Sequence, residues 1–341
     1  MRNEVILITG ANGEIGHGLI RSLAQRNGTQ IVALDLKPLD DSLAPYCDRF
    51  IQGDILDSML LGRLMAEYDI TTIYHLASIL STKAEYNPET AHKINVEGTL
   101  NLLRLGVELS TWQGSSVKFI YPSSIAVYGL PDLEIKRQEG KIKEWMRCAP
   151  ITMYGCNKLY CENLGKYYTH YYRQLAKDRS SHSIDFRCIR FPGLISAETI
   201  PSGGTSDYGP EMLHSAARGE PYACFVRPDT RIPFMVMPDA IKSLLMLADA
   251  PRESLTQSVY NVTSFSPSAK DIYDIVKQAY PDADITFDVH PQRQRIVDSW
   301  PEDCDDSAAA HDWGWKPDYD MQRSFDEYLL PAIRDLYKTR A

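Results

Sequence analysis

The segment Val5-Ile6-Leu7-Ile8-Thr9-Gly10-Ala11-Asn12-Gly13-Glu14-Ile15-Gly16 decides how this chain folds. Its apolar, β-branched start reads as a buried strand, and residues 16–26 behind it have the spacing of an amphipathic helix, so the glycines occupy a strand-turn-helix. Each glycine has its own task. Gly10 permits the sharp exit from the strand, Gly13 lets backbone approach a pyrophosphate, and Gly16 lets the helix lie close to the sheet. The helix start offers N–H donors that suit phosphates, and Asn12, Glu14 and Ile15 are expected beside them. Residues 30–35 read as a second strand ending in Asp35, a carboxylate able to accept from ribose hydroxyls. No arginine follows Asp35 and Lys37 is the nearby cation, so the pattern favours NAD over NADP.

Farther along the chain, strand-like runs at 73–76 and 117–121 alternate with longer amphipathic stretches, which predicts βαβ units and an α/β fold: a Rossmann-type, doubly wound parallel sheet. The strand ends place Asp54, Ile55, Leu76, Ala77 and Ser78 near adenine and ribose, and Asn95 and Leu194 complete the expected cofactor set. His75, inside an apolar run, reads as packed rather than catalytic. From Phe191 the chain becomes rich in Pro and Gly, so we expect an NAD-binding domain over 1–190, with a return near 232–263, and a smaller, mainly substrate-binding region over 191–341. The polar stretch 132–147 reads as a solvated loop or surface helix rather than a mobile lid.

Composition narrows the partners. A net charge of -9 on 341 residues, with no long basic run, disfavours nucleic acid and anionic membrane and leaves a small molecule as the expected partner. The seven cysteines form no C-x-x-C pair and the eight histidines no metal-ligand spacing, so free thiols, no metal and a cytoplasmic protein are expected. The first apolar run is too short for a leader or a membrane span.

The segment Thr152-Met153-Tyr154-Gly155-Cys156-Asn157-Lys158 opens a helix, and a spacing of four puts Tyr154 and Lys158 on one face. A cation beside the phenol favours phenolate and makes Tyr154 usable as a general base, acting with cofactor ribose held by Lys158. Upstream, Tyr121-Pro122-Ser123-Ser124-Ile125-Ala126-Val127-Tyr128-Gly129 delivers a hydroxyl to the same end of the sheet, from Ser124 or from its neighbour Ser123.

These three elements together resemble the extended short-chain dehydrogenase/reductase family, of the NAD-dependent epimerase/dehydratase type. Within it, His75 to Ser81, Pro122 to Gly129, Phe191 to Ser196, Gly203 to Tyr208, Asp298-Ser299-Trp300-Pro301 and Asp312 to Trp315 are similar to the short-chain type of L-threonine 3-dehydrogenase. The resemblance implies oxidation of a β-hydroxyl, with Ser124, Tyr154 and Lys158 catalytic, Ser124 preferred over Ser123, and Ser81, Thr205 and Trp300 near the amino acid. It also implies a homodimer, for which 97–109 and 162–174 are candidate helices, although burial within one chain accounts for them too. The linker from Ser124 to Tyr154 is longer and more charged than in that pattern, and Ser202 and Ser206 replace an expected glycine and threonine. Two rivals remain: a nucleotide-sugar 4-epimerase using the same site with Arg218, Arg227 and Arg231 on a diphosphate, and a non-catalytic NAD-sensing protein. A dehydratase is disfavoured, since Ile125 and Ala126 stand where it needs an acid and a base.

Overall fold

The computed structural model describes residues 4–177, 183–201 and 203–338; Ser202 and the first three residues lie outside them. Seven strands form one parallel sheet: β1 (Glu4–Thr9), β2 (Ile31–Asp35), β3 (Arg49–Gln52), β4 (Asp69–His75), β5 (Lys118–Ser124), β6 (Asp185–Phe191) and β7 (Val259–Asn261), in the order β7-β6-β5-β4-β1-β2-β3. The order reverses beside β1. The crevice at the strand ends therefore opens where the glycine turn leaves β1 and where β4 and β5 deliver His75 and Ser124, the usual place for a ligand in such a sheet.

Helices cover both faces. On one, Leu19, Ile20 and Leu23 of the first helix (Glu14–Ala24) meet Leu244 and Leu247 of the helix Met237–Asp249. On the other, Leu102, Leu103 and Leu105 of Gly98–Gln113 pack with Cys161 and Tyr168 of the long helix Met153–His170. With helices on both sides, the inner strands are apolar throughout rather than alternating.

The strand β6 departs from that rule, carrying Arg187 and Arg190 fully buried. Arg187 pairs with Asp185 at 2.6 Å and donates to the carbonyls of Leu247 and Ala250, satisfying the acceptors that a helix C-terminus leaves open. Lys118 adds a bond to Ala248 O at 2.8 Å. Charge buried in the sheet thus locks a covering helix in place.

The third apolar cluster lies beyond the strand ends, where Tyr208, Val226, Phe234, Ile272, Trp300 and Phe325 enclose Ile125, Val127 and Tyr128 from the turn after β5. Of the stretch 232–263, Val259–Asn261 joins the large sheet, whereas Phe234–Val236 pairs separately with Gly193–Ile195. Residues 132–147 contain the helix Leu133–Glu139 and a short strand, Lys141–Ile142, paired with Asp303–Cys304. Their surface-helix reading holds in part, but Lys136 and Ile142 are buried.

Candidate active site

Gly10 has φ +71°, and a Cβ built there would stand 2.5 Å from the backbone nitrogen of Ala77. Only glycine lets the chain turn here against the end of β4. The turn thereby brings Leu76 and Ala77 alongside the glycine loop. Gly13 is the helix N-cap without any side-chain cap, so no side chain competes for the donors at the helix start. Asp35 accepts from Asn12 N at 2.9 Å and from Lys37 N at 3.0 Å, one bond on each oxygen, leaving further lone pairs for diol hydroxyls. Ile15, Leu76 and Leu194 all border the same apolar cluster. This donor set and clearance fit a dinucleotide.

Other expected contacts are spent on the scaffold. The Asn12 amide donates to Pro38 O and accepts from Asp40 N, tying the turn to the loop after β2. Asn95 accepts from Ile79 N at 2.7 Å and donates to Ile79 O at 3.0 Å, shaping the loop that carries Ser78 instead of offering its amide to solvent. Glu14 accepts from Thr199, and burial raises its carboxyl above the ordinary value. Asp54 caps its own turn at Leu56 N, and Ile55 packs under Gly98. His75 is held between Thr9 (2.8 Å) and Thr99 (2.9 Å), and burial pushes its imidazole down to about 3, with Lys158 adding to the effect. It is a neutral structural histidine.

The helix with Tyr154 reaches the end of β5 because Gly155 lies against the turn after Ser124, where a Cβ would meet Ala126 O at 2.1 Å. Thr152 caps the helix through Gly155 N at 3.1 Å. Burial raises the Tyr154 phenol well above its ordinary value, and a side-chain hydrogen bond with Ser124 pulls it partly back. Lys158 is 4% exposed, donates to Pro122 O at 2.7 Å and lies 5.5 Å from the centre of the Tyr154 ring. Burial depresses its ammonium to about 8. The structure therefore groups Ser124, Tyr154 and Lys158. Ser123 stands outside that group: its hydroxyl is spent on Glu162 Oε1 at 2.5 Å, farther along the helix that carries Tyr154 and Lys158.

Glu162 and Arg190 escaped the sequence reading. They form a buried two-bond pair (2.9 and 2.6 Å), with Arg190 also donating to Tyr128 OH and Glu144 O. Glu162 follows Lys158 by four residues and sits beneath it on the same helix, so a second step of the same spacing was the available signal. Breaking such a buried pair typically costs about 3–5 kcal/mol, which makes it a rigid link between β5, β6 and the Tyr154 helix.

Of the residues expected near a substrate, Thr205 Oγ1 donates to Ser81 Oγ at 3.1 Å, and beside them Thr82 holds Gly203 O at 2.8 Å. Arg293, also absent from the sequence reading, donates to Gly204 O at 2.7 Å and lies over the Phe225 ring. Trp300 belongs to the apolar cluster that Tyr154 borders. The three arginines considered for a diphosphate are engaged elsewhere: Arg218 with Glu220 (2.6 Å), Arg227 with both oxygens of Asp298 (2.9 Å each), and Arg231 with Asp271 (3.3 Å). All seven cysteines are unpaired, and no helix among the described residues is long and apolar enough to cross a membrane.

Residues 6–263 match the model of the NAD dependent epimerase/dehydratase family. The mitochondrial L-threonine 3-dehydrogenase of Bos taurus is 35% identical over 93% of this chain and 79% of its own length. Among solved structures, a monomeric L-threonine 3-dehydrogenase from a metagenome superposes with TM-score 0.83 at 36% identity, covering 97% of this chain and 99% of that one. The Trypanosoma brucei L-threonine 3-dehydrogenase does so with TM-score 0.84 at 32% identity, covering 99% and 98%. A family match over most of the sheet, joined to likeness along nearly the whole chain, makes this protein a member of the NAD-dependent epimerase/dehydratase family and an NAD-dependent dehydrogenase similar to the L-threonine 3-dehydrogenases.

Proposed function

We propose that the protein oxidises the β-hydroxyl of L-threonine to 2-amino-3-oxobutyrate. The observation that carries this reading is the grouping of Ser124, Tyr154 and Lys158 at the end of β5. The Gly10–Gly16 turn and Asp35 would hold NAD, which would supply the hydride acceptor. Tyr154 removes the proton from the β-hydroxyl, and Ser124 donates a hydrogen bond that orients that oxygen. Burial alone opposes phenolate, so the nearby Lys158 cation is what makes Tyr154 an effective base. Ser81 and Thr205 serve the polar end of the amino acid, and Trp300 forms the wall beside its methyl group. The product is a β-keto acid, prone to lose carbon dioxide to give aminoacetone.

The engaged arginines disfavour the nucleotide-sugar epimerase, and the intact Tyr154–Lys158 pair disfavours a purely sensing protein. The reading includes a division near residue 190 and a cytoplasmic enzyme, the latter supported by its unpaired thiols. It also includes a homodimer through the helices Gly98–Gln113 and Met153–His170; Tyr160 and Tyr167 are exposed on the second, while most of the first is buried within the chain. Sedimentation at micromolar concentration tests that assembly. For the chemistry, NADH formation is followed at 340 nm with L-threonine, L-serine, other β-hydroxy amino acids and UDP-sugars, in the wild type and in Tyr154→Phe. We expect threonine turnover in the wild type, and in the variant NAD binding without turnover. Absence of NADH with every hydroxy amino acid would sink the assignment.

A further inference from the structure

The helix Pro291–Asp298 ends just before Trp300, and its last carbonyls need donor partners from outside the helix. One of them, Val297 O, accepts from Trp300 N at 3.2 Å and from the ammonium of Lys136 at 3.2 Å. A single carbonyl oxygen therefore joins Lys136 to the backbone of the indole. Lys136 is 3% exposed, and the charged groups around it are Asp298, Glu302 and Asp229, with Arg227 opposing. An ammonium at a helix C-terminus among three carboxylates is well placed, despite the cost of taking it out of water.

Two further attachments from the same stretch flank Trp300. Leu130 N donates to Ser299 O at 2.8 Å, and Lys141–Ile142 pairs in parallel with Asp303–Cys304, reinforced by Lys141–Asp303 at 3.1 Å. Residues 130, 136 and 141 thus fix residues 299, 297 and 303. The stretch begins directly after Ser124 and its turn, so it links the end of β5 to the segment that carries Trp300.

We propose that Lys136 is a positioning residue for substrate specificity: through Val297 O it holds the Trp300 wall at a set distance from Ser124 and Tyr154. This rests on the reading of Trp300 as the wall beside the methyl group of threonine. Lys136 touches neither substrate nor cofactor and acts through the backbone of the Trp300 segment.

The test compares the wild type with Lys136→Met, Lys136→Gln and Lys136→Arg, each checked for a cooperative thermal transition. Lys136→Met should raise KM for L-threonine about tenfold while kcat and NAD affinity stay within about twofold, and should shrink the preference for threonine over serine. Lys136→Arg, which keeps a cationic donor, should recover most of the loss. Lys136→Gln, a neutral donor, should fall between the two and serves where Lys136→Met does not fold. Indole emission assigned to Trp300, by difference against Trp300→Phe in each background, should shift in the folded Met or Gln variant without any substrate. Unchanged threonine KM, unchanged serine preference and unchanged Trp300 emission in a folded variant would overturn the proposal. A wild type inactive on hydroxy amino acids would instead defeat the threonine reading, and the emission would still decide whether Lys136 sets the Trp300 segment.

Discussion

Replacing Lys158 by methionine should make the cofactor-free protein more stable while it destroys activity. The buried ammonium is depressed to about 8 from an ordinary 10.5, and at about 1.4 kcal/mol per pH unit that gap corresponds to roughly 3 kcal/mol of native-state cost at neutral pH. Methionine removes the charge at similar length, but leaves Pro122 O without its donor at 2.7 Å, a loss of about 1–2 kcal/mol. The net expectation is a gain of about 1–2 kcal/mol, read as a rise of roughly 1–3 °C in Tm at pH 7 for a chain of this length. The sign reverses the usual pattern with pH. Below 8 both folded and unfolded lysine are protonated and the full cost applies; between 8 and 10.5 the folded group gives up its proton first, so wild-type stability recovers and the advantage of the variant fades. Thermal or urea midpoints at pH 7 and pH 10, alongside NADH formation with L-threonine, measure this. Turnover should fall at least about 100-fold. A variant less stable than wild type at pH 7, or one whose advantage persists undiminished at pH 10, would refute the reasoning.

Two other outcomes follow from the geometry. Gly10→Ala places a methyl group 2.5 Å from Ala77 N on a backbone with φ +71°, so a titration of the folded variant with NAD should show affinity reduced at least about 100-fold. The depressed His75, at about 3, gains no proton in the native state across neutral pH, whereas the unfolded chain takes one up below about 6.5. It therefore contributes a loss of stability of up to about 1.4 kcal/mol per pH unit as pH falls from 6.5 toward 3, and its ring proton resonances should stay constant between pH 5 and 8. A titrating His75 signal would show that the Thr9 and Thr99 contacts do not seal it.

Much of the sheet was legible because its strands are apolar runs bounded by turn residues. The strand β6 was not, since its sequence Asp-Phe-Arg-Cys-Ile-Arg-Phe breaks the apolar pattern with two arginines. Those arginines are tolerated only because Asp185 on the same strand, and Glu162 and the carbonyls of a helix end on other elements, meet them. The short strand β3 escaped notice for a related reason, since polar ends at Arg49 and Gln52 disguise it. In the site, Asn12 and Asn95 were sensible candidates for the cofactor, but an amide beside a ligand and an amide bracing a loop look alike until its partners are seen.

The sequence by itself determined what depends on neighbours along the chain. The glycine turn after β1, the carboxylate at the end of β2, and the four-residue step from Tyr154 to Lys158 follow from steric freedom and helical periodicity, which act over a few residues. Only the tertiary structure decided that Ser123 is spent on Glu162, how Glu162 meets Arg190, how Ser81 meets Thr205 across 124 residues, and how Lys136 reaches Val297 across 161. Such contacts depend on where whole elements come to rest. A buried charge or hydroxyl is stable only when a partner arrives from a distant segment, and that arrival is set by the packing of the sheet and its covering helices rather than by local pattern.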